Sequence, residues 1–249
     1  SHKTIKTYAI VKRLLFIVFY FIAWILKNLL ANALYNMDHL SRILLLFHIL
    51  CGSLSLISSA LSIYSKKGQR THRFFGKIYF WGMVGVFLTA IPLAIFKLNV
   101  FLLLIAIFSF YLAFAGMRFA VNRKGIPKLI DWIAVILMCC SGVAMLILGL
   151  KYYFNYNTQF VTLLIFGSIA LFLSYNDYVS LTKRNAVGKH RIVRHLTNML
   201  AGTIAVITAF LVTNFRTEPE WILWVLPTIL ITAIIIWWNA RMLNKSNPY

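Results

Sequence analysis

Acidic side chains are scarce in this chain: five Asp and Glu stand against 25 Lys and Arg. Charge of either sign is thin, at 12% of residues, where soluble domains run near a quarter. No stretch is long and polar enough to form a separate soluble domain. Cysteine is rare too. Cys51, Cys139 and Cys140 all lie inside apolar runs, without a CxxC or a disulfide framework, and read as small packing residues. There is no Walker loop, no HExxH, no GxSxG and no dinucleotide fingerprint, which argues against hydrolase and nucleotide chemistry. The excess of cations does not point to nucleic acid. The basic residues sit in short loops between apolar runs, where topology and anionic lipid headgroups account for them.

What the chain does have is hydrocarbon. It is 61% hydrophobic, with a mean hydropathy of +0.81, and water is a poor solvent for that much apolar surface. A helix crosses the bilayer core with about 20 apolar residues. Eight runs qualify, at 14–34, 43–64, 74–96, 98–120, 130–154, 158–181, 195–213 and 221–240. Such continuous runs argue for helices. Barrel strands would alternate over about ten residues. The expectation is an all-α, polytopic transmembrane bundle of about eight spans forming one membrane-embedded domain.

The first run follows Lys3, Lys6, Lys12 and Arg13 and ends near Ala31-Asn32-Ala33, a signal-peptidase-like string. It is read here as a retained helix.

Charge then sets the orientation. With the N-terminus inside, the inner segments hold those four cations, then Lys66, Lys67, Arg70, Arg73 and Lys77, then Arg118, Arg123, Lys124 and Lys128. After these come Lys183, Arg184, Lys189, Arg191 and Arg194, and last Arg241 and Lys245. The outer segments keep only Lys27, Arg42, Lys97, Lys151 and Arg216. Every second loop is basic, as the positive-inside rule requires. Both termini are therefore expected in the cytoplasm, and the protein in the bacterial inner membrane as a multi-pass chain. Trp221, Trp224, Trp237 and Trp238 bracket the last run, as interfacial belts do.

Ionisable residues inside such runs are costly and mark candidate sites. His48 lies in the outer half of the second run. It heads a stripe of small and polar residues, Cys51, Gly52, Ser55, Ser59 and Ser62, readable as a close helix–helix seam. His72 and His195 open the third and seventh runs on the inner side, with His190 in the preceding loop. Asp177 lies near the inner end of the sixth run, where a salt bridge to Arg191 or Arg194 would justify it. His72, Asp177 and His195 thus share one depth on three helices. Imidazole can bind metal or shuttle protons there. Met138-Cys139-Cys140 and Met145 offer soft donors, but without thiolate spacing they read as packing. Pro92 and Pro227 can kink their spans.

His48 with Gly52, the basic loop, and His72-Arg73-x-x-Gly76-x-x-Tyr79 resemble an uncharacterised family of predicted bacterial membrane proteins, a domain of unknown function. His195-x-x-x-Met199, Thr208-Ala209-Phe210 and Trp224-x-x-Pro227-Thr228 look like its C-terminal part. The resemblance covers four of the eight runs. It implies no activity but singles out His48, His72 and His195. A looser likeness is to transmembrane b-type cytochromes, which hold haem between histidines of neighbouring helices. Their His-x-x-Gly element is broken here, since Phe75 stands where that glycine belongs and Gly76 comes one residue later. Three histidines at two depths cannot serve two haems. One haem b or one transition metal through His72 and His195 is what the likeness implies.

Three functions follow as expectations. The first is a redox or cofactor-binding membrane protein using His72 and His195. The second is a small-solute or proton transporter, with His48, Asp177 and the serine stripe lining a path. The third is a structural or assembly subunit that partners other membrane subunits.

Overall fold

The computed structural model describes residues 39–244, in which every regular element is a helix. The seven helices are α1 (His39–Tyr64), α2 (Arg70–Phe96), α3 (Val100–Val121), α4 (Leu129–Phe154), α5 (Phe160–Lys183), α6 (Gly188–Asn214) and α7 (Trp221–Asn244). Each is long and apolar enough to cross a membrane, and the protein is a multi-pass helical membrane protein. The seven match the second to eighth apolar runs. The first run, 14–34, lies outside the described residues.

Backbone groups have no water partner in hydrocarbon, so each apolar run closes its own hydrogen bonds as a helix. Boundaries agree with the runs to within a few residues except at α6, which begins at Gly188, seven residues before the run. Hydropathy alone misses these two turns because Lys189, His190, Arg191 and Arg194 occupy them. A helix can carry such cations into the headgroup zone where water, headgroups or neighbouring acceptors meet their charges; Arg191 and Arg194 both turn to acceptors on other helices. His195 is therefore well inside α6, and His190 is helical.

Short connections make successive helices antiparallel, so the loops fall into two groups. At one end, a side chain on Gly125 would meet Val187, and the Lys67 ammonium lies 5.3 Å from the centre of the Trp238 ring. At the other end, Gln159 donates to Glu220 across 2.9 Å. The first end carries nearly all the cations of the described residues. The second keeps Arg42, Lys97, Lys151 and Arg216, together with both glutamates.

The helices pack chiefly as α1 on α2, α4 on α5, α3 on α6 and α6 on α7, with α3 also touching α2 and α4. The most apolar stretch of α3 is 50% buried, against 17% for α1 and α7. So α3 and α6 form the centre, and α1 and α7 face outward. Small residues set the spacing, as is general in membranes. A Cβ on Gly82 would land on the Ser55 side chain, and one on Gly202 would land on the Tyr79 hydroxyl.

Candidate functional site at the basic end

Arg194 and His195 are adjacent on α6, and they point into two different polar clusters. His195 meets His72 of α2. The two rings stand edge to face, their centroids 6.3 Å apart and their planes at 89°. Each ring is held from behind by a different helix. His72 Nδ1 is 3.0 Å from the Ser62 carbonyl and 3.1 Å from the Ser62 hydroxyl, both on α1. His195 Nδ1 is 2.8 Å from the Gly116 carbonyl on α3. A carbonyl only accepts, so both Nδ1 atoms carry the proton. That leaves the second ring nitrogen, Nε2, which no hydrogen bond engages in either ring among the described residues. Metal-binding histidines are prepared in this way: one nitrogen donates to a fixed acceptor, and the other keeps its lone pair for the ion.

On the other side of α6, Arg194 Nη1 lies 3.3 Å from Asp177 Oδ1 of α5. Asp177 is 2% exposed. Its second oxygen accepts the Tyr111 hydroxyl of α3 at 2.6 Å. A further pair sits beside it. Arg118 of α3 grips Asp131 of α4 through two bonds of 2.5 and 2.8 Å, and Asp131 also accepts the backbone N–H of Lys128, capping its own helix. Tyr111, Arg118, Asp131 and Asp177 line a cleft of about 30 Å³ between α3, α4 and α5, room for a water. Arg191, the alternative partner considered for Asp177, instead donates to the Phe119 and Ala120 carbonyls at the end of α3. A cation at a helix C-terminus is favourably placed.

His48 stands apart from both clusters. Its Nδ1 is 2.9 Å from the Thr89 hydroxyl of α2, and Thr89 donates its own proton to the Gly85 carbonyl. His48 is therefore the donor, serving the α1–α2 seam roughly 21 Å along α1 from Ser62 at 1.5 Å per residue. The serine stripe belongs to the same seam. Ser55 and Ser59 bond carbonyls of their own helix, and only Ser62, at the stripe's inner end, reaches a candidate site. The soft donors near residue 140 do not converge. Met138 and Met145 are fully buried, while Cys139 and Cys140 face outward.

His72 and His195, expected at one depth, are brought into ring contact by the fold. Asp177 joins Arg194 on the opposite face of α6. The reading missed Asp131, Arg118 and Tyr111. The signal was available for the first two, since an acid and an arginine flank one short loop. Tyr79, named only within the family-like motif, has a buried hydroxyl with no hydrogen-bond partner among the described residues.

Fold and site together define a multi-pass α-helical membrane protein with two polar clusters at its basic end. No family model, no curated protein and no solved structure matches the chain.

Proposed function

We propose that this is a bacterial inner-membrane protein, its basic end in the cytoplasm, that binds a transition-metal ion between His72 and His195 for metal-centred redox or metal handling at the inner membrane boundary. The observation that carries this reading is the pair itself: two imidazoles from different helices, each donating from Nδ1 to a backbone carbonyl and each with Nε2 free. Metal–imidazole bonds are about 2.0–2.1 Å. An ion between two opposed Nε2 atoms would therefore set the ring centres about 6 Å apart, close to the spacing found.

The same spacing would suit the iron of haem b, whose axial imidazole bonds are of similar length, so haem b stands beside a single ion in this proposal. The gathering of cations at one end supports the orientation, and anionic headgroups are the partners that Arg70, Arg73 and Lys77 would meet. The resemblance to the uncharacterised bacterial family belongs to the same proposal.

A second reading, proton or solute transport, draws on the cleft beside Asp177. The pairing of Asp177 and Asp131 with arginines weighs against it, as does the bonding of the serine stripe to its own helix.

Metal analysis and an absorption spectrum of protein purified from its native membrane test the metal reading. Bound metal that disappears in both His72→Ala and His195→Ala is the expected result. Metal-free, colourless native protein would overturn it.

A further inference from the structure

We propose that Lys67 is a positioning residue of the histidine pair: its ammonium shares the Ser62 carbonyl with His72, which makes His72 the weaker and His195 the stronger ligand of the two. This rests on the metal-binding reading above. Ser62 and Ile63 lie in the last turn of α1, where carbonyls have no partner within the helix. Two side chains fill the gap. His72 Nδ1 is 3.0 Å from the Ser62 carbonyl. Lys67 Nζ donates to the same oxygen at 3.3 Å and to the Ile63 carbonyl beside it. The ammonium also lies 5.3 Å from the centre of the Trp238 ring of α7, within reach of a cation–π contact. The lysine is thus held from three sides, on the oxygen that holds His72.

Sharing has a direction. A carbonyl oxygen has two lone pairs, so both donors fit. They do not help each other, because a cation on the oxygen draws its electron density away from the imidazole N–H. A histidine gains strength as a ligand when its other nitrogen donates to a good acceptor. His195 has the better one. The Gly116 carbonyl holds it at 2.8 Å, and the two arginines beside it in sequence turn elsewhere. Arg191 donates to the Phe119 and Ala120 carbonyls, and Arg194 to Asp177 and the Asn176 carbonyl. The field of the ammonium acts in the same sense. Lys67 Nζ and His72 Nδ1 reach one oxygen, so positive charge there opposes a cation at Nε2. Lys67 lies in the exposed loop between α1 and α2, where water and salt screen part of that field. The lysine therefore tunes binding and does not decide whether it occurs.

The test uses the full chain in detergent. Zinc(II), which imidazole suits, is the probe, titrated against a competing chelator, and NMR of isotopically labelled histidine rings gives a second reading without ligand. Lys67→Met keeps the apolar stem and removes the charge and the donors. The His72 Nδ1 proton is then expected to move downfield, since an unshared carbonyl makes the stronger hydrogen bond, while the His195 proton stays in place. Zinc binding should tighten by about threefold to tenfold, the scale of one partly screened charge. Lys67→Arg, which restores charge and donors, should return both readings to wild type. If Lys67→Met does not fold, Lys67→Gln, which loses only the charge and keeps a donor, reads the same direction. A lysine that merely caps α1 would change thermal stability and leave the ring signals and zinc affinity where they were. That result, or weaker zinc binding in a folded variant, overturns the role of Lys67 while leaving the histidine site standing. Failure of wild-type protein to bind zinc overturns the metal reading and this proposal together.

Discussion

The two sides of α6 at the basic end are built from similar residue types but are completed differently. On the Arg194 side, both carboxylates have partners. Asp177 is met by Tyr111 and Arg194, and Asp131 by Arg118 and the Lys128 amide. On the His195 side, each ring spends one nitrogen on a backbone carbonyl and keeps the other. A fully matched cluster in a low-dielectric interior locks helices together, and breaking it exposes a costly charge. A cluster with lone pairs to spare costs little to hold and can take a ligand. Burial alone would rank Asp177 first as a site. Asking which groups keep a nitrogen open to a ligand ranks the histidine pair above it.

If that contrast is right, the arginine–carboxylate side should register in stability and the histidine side in binding. The largest effect is expected from Asp177→Ala. It strands the Tyr111 hydroxyl and the Arg194 guanidinium together and should cost about 3 kcal/mol, the scale for half of a buried pair. Thermal unfolding in detergent measures it. Unchanged stability would break the comparison and strengthen the transport reading. Arg118→Met comes next, at about 1–2 kcal/mol, since it removes two charge-assisted bonds but leaves Asp131 its cap contact with Lys128. His72→Ala and His195→Ala should stay within about 1 kcal/mol of wild type, since each removes one donating N–H, shared between the two Ser62 oxygens in the case of His72, while abolishing metal binding. A large stability loss in either would show that the pair is structural.

How much of this was readable without coordinates follows from what each feature depends on. The spans were legible because crossing hydrocarbon needs only length and apolarity. The early start of α6 was hidden because Arg191 and Arg194 look like loop charges, although both are helical and bonded to neighbouring helices. His72 and His195 could be set at one depth from topology alone, but periodicity does not encode that α2 and α6 are neighbours. Tyr111 was invisible for a different reason. An aromatic in an apolar run looks like core until its hydroxyl is found on Asp177. Conversely, His48 drew attention as a histidine in lipid, and only the Thr89 contact places it in the α1–α2 seam, away from the other two rings.

The smallest effect sharpens the comparison most, because it separates holding a ring from binding a ligand. Ser62 holds His72 twice, through its carbonyl at 3.0 Å and its hydroxyl at 3.1 Å. Ser62→Ala removes the hydroxyl and keeps the carbonyl, so Nδ1 stays protonated and Nε2 stays available. Groups that orient metal-bound histidines contribute about 10–100-fold to affinity. With half of this hold retained, the loss should fall below about tenfold, and stability should shift by less than about 1 kcal/mol. Metal competition titrations on the folded variant measure this. A loss as complete as in His72→Ala would mean that the hydroxyl, not the backbone, fixes the tautomer. The serine stripe of α1 would then belong to the site at its inner end and not to the seam alone.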